Sequence, residues 1–192
     1  MRQKQIDESR NLILDGFFSV LQNKQYSKIS MSEIAERSTL TRMTLYRHFK
    51  NKDELLKYLI MNIIKDIKTN FAQLEHKTLA NLIRVRFLVI SKNKYLKAAL
   101  SNKEVEPIVR EFISQGRFMF TNRSKYDRKR NKYMFNFIIG GMEKITKKWL
   151  LEGMKESPDT ITKETINILK SINIDVEVLV WKELGYLYFW TA

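Results

Sequence analysis

The sequence predicts an all-α protein: an N-terminal three-helix unit, a long connector helix and a larger C-terminal helical unit. Three observations predict it. Only two prolines and six glycines interrupt the 192 residues, so helix-breaking points are few. Apolar residues recur at three- and four-residue steps up to about residue 171, the period of an amphipathic helix. Hydroxyl and amide side chains also stand where those patterns begin, as helix N-caps do.

A first helix is expected over about 5–23, where Ile13, Leu14, Phe17, Phe18, Val20 and Leu21 make one broad apolar face. Ser30 and Glu33 have capping-box spacing and open a short second helix that ends near Arg37 or Ser38. Thr41 can cap a third over Arg42–His48, and Asn51 with Glu54 a fourth. The fourth carries an apolar stripe from Leu55 to Leu74, the length of a connector. Further helices read at about 79–92, 94–101, 104–120, 129–152 and 158–171, with Gly153 as a stop and Pro158 at a first helical position. From Ile172, apolar Ile172, Ile174, Val176, Val178 and Val180 alternate with their neighbours, which favours an extended strand, so the tail 172–192 would form a hairpin, pair with another subunit or stay loose. The expected domains are 1–51, 52–171 and this tail.

Composition narrows the function. The opening MRQKQIDESR is polar, unlike a secretory signal, and no apolar run reaches the ~20 residues of a membrane span. A cytoplasmic location without membrane association is expected. No cysteine is present and the histidines are His48 and His76 alone, so catalytic constellations, thiolate metal sites and cofactors are not expected. The net charge of +14 suits a polyanionic partner, because neutralised phosphates release counterions. It equally suits a lysine-rich, solvated surface. Residues 1–50 hold nine Lys or Arg against five Asp or Glu, hence +4. Arg123 to Lys132 adds six basic residues against Asp127, as a partner surface or a solvated loop.

The stretch SMSEIAERSTLTRMTLYRHFKNKDELL (residues 30–56) has the parts of a helix-turn-helix. Ala35 is the small residue where two helices approach, and Ile34, Leu40 and Leu45 lock the pair. Thr41, Arg42, Thr44 and Arg47 form a polar outer face suited to a major groove. An ordinary helical hairpin would share some of these features. LYRHFKNKDELL, in register with the preceding IAERSTLTRMT, resembles the signature of the TetR family of transcriptional regulators. The resemblance implies a dimeric, all-helical regulator, a repressor in most cases, that binds double-stranded DNA and whose C-terminal domain takes a small-molecule inducer. It also implies phosphate contacts from Tyr46, His48 and Lys52. Lys52 would sit in the first turn of a helix, where backbone amides already favour anions. Ser30 is expected to cap its helix and to touch a phosphate through a free backbone amide. Base readout would fall to Thr41, Arg42, Met43 and Thr44. Arg42 alone can pair bidentately with guanine, although a phosphate contact is as open to it. Two residues depart from the family pattern: Thr39 stands where glycine is usual in the turn, and Met43 where a small residue is usual. Positive φ at Thr39 would be costly.

YMFNFIIGGMEKITKKWLLEGMKESPDTI (residues 133–161) resembles the C-terminal region of a TetR subgroup related to regulators of dihydroxyacetone kinase genes, as does FLVISKNKYLKAAL (87–100). Two glycines inside a helix cost about 1 kcal/mol each against alanine, which points to close helix–helix approach. Tyr133, Phe137, Gly140, Gly141, Lys144 and Trp149, answered by Ile161, Ile168 and Leu169, are the expected dimer face, with an intramolecular core as the alternative. Phe87, Tyr95, Phe112, Phe118, Phe120 and Phe137, with Arg84 or Arg86, are candidates to line an inducer pocket, though aromatics at this spacing also build plain cores. The same subgroup includes co-regulators that act through a protein partner, which is the alternative function.

Overall fold

The computed structural model describes residues 2–115 and 128–177. Among these the chain is all helical, with no strand. The helices are α1 (Arg2–Leu21), α2 (Met31–Arg37), α3 (Arg42–His48), α4 (Lys52–Ala72), α5 (Leu79–Ser91), α6 (Leu96–Ser101), α7 (Val105–Gln115), α8 (Arg128–Leu151) and α9 (Pro158–Ser171). A 3₁₀ turn, Tyr26–Lys28, precedes α2.

Local chemistry sets the helix ends. Ser30, Thr41, Thr78 and Ser157 each accept an N–H from the first turn of the following helix. Three helices stop in a Schellman arrangement, where two N–H groups fold back onto the last turn. After α2, Thr39 N–H donates to Glu36 O and Leu40 N–H to Ala35 O, both at 3.1 Å, and Thr39 adopts φ +57. After α8, Gly153 takes the left-handed position at φ +89, the stop expected of it. After α9, Asn173 takes it at φ +59, with Ile174 N–H donating to Leu169 O at 2.9 Å.

This last cap corrects the reading of an extended run from Ile172. Ile172 and Asn173 belong to a turn that closes the helix, and alternation alone could not reveal a left-handed residue at its second position. Val176 is buried, and its carbonyl accepts the Ala80 N–H at 2.8 Å. Residues 178–192 lie outside the described residues, as do Phe118, Phe120 and the run Arg123–Asp127.

The chain forms two compact units. One comprises 1–61 with 98–112, and the other 62–97 with 113–192. In the first, Ile13, Phe17, Ile34, Leu45, Leu55, Leu56 and Val105 have essentially no exposed surface. Gly16 lets α1 approach the end of α2 closely. In the second, α5 packs on α9, and Phe87 meets Trp149 edge-to-face at 5.4 Å. Three helices, α4, α6 and α7, run from one unit into the other, where the sequence suggested a single connector.

Candidate nucleic-acid interface

The buried side of α3 is one residue wide. Leu45 has no exposed surface. Thr41 caps the helix by accepting the Thr44 N–H at 3.1 Å, and its hydroxyl lies 3.0 Å from that of Thr44. Leu45 anchored inside turns the opposite side outward. Met43 is 82% and Tyr46 52% exposed, Thr41, Arg42 and Arg47 are exposed, and Thr44 is half-buried. The proposed base-reading residues and Tyr46 therefore share one open surface with two guanidinium groups and no carboxylate between residues 38 and 50.

Two of the expected phosphate-contacting residues, Ser30 and Lys52, have other engagements. Ser30 forms a complete capping box: its backbone N–H donates to Glu33 Oε2 at 2.9 Å, and its Oγ accepts the Glu33 N–H at 3.2 Å. The expectation that capping leaves the Ser30 amide free is thus corrected, because Glu33 reaches back to take it. Glu33 is also paired with Lys24, and that contact, with the bonds from Ser30, holds its carboxyl down at about 2. Lys52 turns its ammonium onto the 3₁₀ turn, donating to the carbonyls of Tyr26 (2.5 Å), Ile29 (3.1 Å) and Ser27 (3.2 Å), and lies 4.4 Å from the centre of the Tyr26 ring. An ammonium has three hydrogens, and three carbonyls face it. Tyr26, buried and donating to Asp53, has its hydroxyl held strongly in the protonated form by burial and by that carboxylate.

His48 is half-buried beside Phe49, with its Nε2 enclosed and lacking a hydrogen-bond partner. Burial first, then the charges of Arg10 and Arg47, push its pKa below the ordinary 6.5, so it is neutral near pH 7. Arg10 stacks on Tyr58 at 5.0 Å, and its Nε is likewise enclosed without a partner. Sequence reasoning passed over Arg10 and Gly16. The signal for Gly16 was a glycine in the middle of a good apolar helix, while nothing local marks Arg10.

Two family models match the chain. "Bacterial regulatory proteins, tetR family" covers residues 13–59, and "Transcriptional regulator C-terminal region" covers residues 81–171. The chain belongs to the TetR family. Members of this family are transcriptional regulators rather than enzymes. Over 113 residues this TetR-family chain is 33% identical to the uncharacterised HTH-type transcriptional regulator YxbF of Bacillus subtilis, a match spanning 56% of this chain and 28% of that protein. It is 24% identical over 98 residues to the dhaKLM operon transcriptional activator DhaS of Lactococcus lactis, spanning 51% of this chain and 52% of that one. The matches thus span about half or less of these curated relatives. The crystal structure of a transcriptional regulator from Aquifex aeolicus VF5 shares the fold at TM-score 0.61 and 22% identity, covering 85% of this chain and 99% of that chain.

The C-terminal candidates divide by exposure. On α8, Tyr133 is 74% and Phe137 64% exposed, and a Cβ added at Gly140 or Gly141 would meet no atom within 4 Å. On α9, Ile168 is 51% exposed. Trp149, Ile161 and Leu169 are buried within the subunit instead. At about 100° per residue, Trp149 falls about 160° round the helix from Tyr133, so it turns inward to Phe87 and donates its Nε1–H to Glu156 O at 2.9 Å. Ile161, Thr165 and Leu169 form the buried stripe of α9, the helix that packs on α5. Of the pocket candidates, Phe87 is fully buried against Trp149 and Tyr95 is half-buried. The Phe112 side chain and all of Phe118 lie outside the described residues. Arg84 pairs with Asp159 at 3.1 Å on the surface. Arg86 donates to Thr146 at 2.5 Å, and burial lowers it to about 10, opposed by the Glu143 charge.

Proposed function

We propose that this chain is a sequence-specific DNA-binding regulator acting as a homodimer in the cytoplasm, a repressor released by a small-molecule ligand. The observation that carries the reading is the outer face of α3: Thr41, Arg42, Met43, Tyr46 and Arg47 exposed together on a helix fixed from behind by Leu45. In this reading Thr41, Arg42, Met43 and Thr44 meet base edges, and Tyr46, Arg47 and the open side of His48 meet phosphates. Lys52 acts chiefly by holding the turn before α2. The exposed faces of α8 and α9, with Tyr133, Phe137, Gly140, Gly141 and Ile168, supply the dimer contact. The paired glycines suit it because small residues allow helices to approach closely. Two copies of α3 would then enter successive major grooves ~34–36 Å apart. The ligand would sit in the 62–97 and 113–171 region and favour a different spacing of the two copies, its differential affinity doing the work.

The experiment is binding to a promoter fragment from upstream of the protein's own gene, across a salt series. Specific binding should weaken steeply with salt, with a slope set by the phosphates contacted. Tyr46→Phe should weaken all sequences alike, while Arg42→Ala should change preference between sequences. Absence of binding at low salt would overturn the reading.

A further inference from the structure

The 3₁₀ turn Tyr26–Lys28 is gripped from two directions. Lys52 takes its carbonyls. Glu104, 77 residues further along the chain, takes its amide: the Ser27 N–H donates to Glu104 Oε2 at 2.6 Å, and Ser27 Oγ lies 3.4 Å from Oε1. Glu104 is itself held in place. Asn102 Oδ1 accepts the N–H groups of Glu104 (2.9 Å) and Val105 (3.1 Å), and Val105 and Val109 have no exposed surface. The segment 98–112 that carries Glu104 lies inside the region matched by the C-terminal family model, yet it belongs to the compact unit of the helix-turn-helix.

We infer that Glu104 is a positioning residue for DNA binding, ordering the turn that leads into Ser30 and α2 without touching DNA itself. A carboxylate accepting a backbone N–H makes a charge-assisted bond, about twice as strong as a neutral one. Lys52 and Glu104 together leave the turn little freedom, so α2 enters at one angle and α3, joined to α2 through Thr39, follows it. Both ends of the 98–112 segment continue as helix into the other unit. The inference rests on the DNA-binding reading above.

The test uses full-length wild type, Glu104→Gln and Glu104→Ala. Amide hydrogen exchange is measured over 27–34 and over 55–60, and binding is measured to the own-promoter fragment and to an unrelated duplex. Glu104→Ala should raise exchange at 27–34 and weaken both duplexes alike, each about tenfold, as loss of one hydrogen bond to a charged group implies. Exchange at 55–60 should stay unchanged, and Glu104→Gln should fall between. A merely structural role would raise exchange at 55–60 by the same factor, and that result overturns the inference. So does unchanged exchange at 27–34, or Glu104→Ala binding DNA as tightly as wild type or more tightly. If wild type binds neither duplex, the DNA-binding reading falls and takes this inference with it. If wild type binds and the variants match it, only the inference falls.

Discussion

Gly16 of α1 meets Ser38 at the end of α2 with no room for a side chain: a Cβ on Gly16 would lie 2.3 Å from Ser38 Oγ and 2.8 Å from Ser38 N. Ser38 cannot easily yield, because it is buried and its hydroxyl donates to Ile34 O at 2.5 Å. Gly16→Ala should therefore destabilise the protein by about 1–3 kcal/mol, the usual cost of overpacking, despite alanine's better helix propensity. Urea unfolding measures this, and an unchanged midpoint would refute the close approach.

Thr39 holds φ +57 although it is β-branched. Thr39→Gly removes strain of about 1–3 kcal/mol, of which glycine's larger unfolded-state freedom takes back a part. The variant should have a higher urea midpoint with an unchanged slope. A lower midpoint would mean that the Thr39 hydroxyl, which donates to Ser38 O at 2.7 Å, outweighs the strain.

Lys52 is the donor for three carbonyls of the turn before α2. Lys52→Met should cost about 1–3 kcal/mol, since partly buried carbonyls lose their partner. Lys52→Arg should recover little of it, because a planar fork cannot address three carbonyls around one point. Thermal melts of the three proteins decide this, and a stable Lys52→Met would return Lys52 to a role on DNA alone.

His48 titrates below its ordinary value in the folded protein, chiefly through burial. The unfolded chain then binds more protons than the folded one between the folded pKa and 6.5. This contribution is fully present above pH 6.5, and stability should fall as the pH drops below it. His48→Gln should flatten that part of the profile. Equal slopes for the two proteins between pH 5 and 7 would remove His48 as the cause.

Phe137 is largely exposed on α8 beside Gly140 and Gly141. On the dimer reading, Phe137→Glu should shift the sedimentation equilibrium toward monomer by at least about tenfold, since burying an unpaired charge at an interface costs several kcal/mol. A variant that dimerises like wild type would place the interface elsewhere.

Much of the DNA-facing unit is legible because its determinants are local. The Ser30–Glu33 box, the Thr41 cap, the apolar stripe of α1 and the outward set on α3 all follow from residues three or four apart. The C-terminal half is less legible. Tyr133, Phe137, Gly140, Gly141 and Lys144 stay within an arc of about 100°, but the five-residue step from Lys144 to Trp149 turns about 140° and carries Trp149 to the buried side. Three- and four-residue steps keep a face, and one five-residue step leaves it.

By itself the sequence determined most of the helices, the caps at Ser30 and Thr41, the family, and even the awkward demand on Thr39, because each depends on short-range sterics and hydrogen bonds. Tertiary structure alone decided that Lys52 serves carbonyls 23 to 26 residues away, that Glu104 reaches Ser27 across 77 residues, and that Trp149 belongs to the core. A charged side chain goes to whatever partner the packed chain brings within hydrogen-bond range, and that partner is set by the packing of apolar faces far from it in sequence.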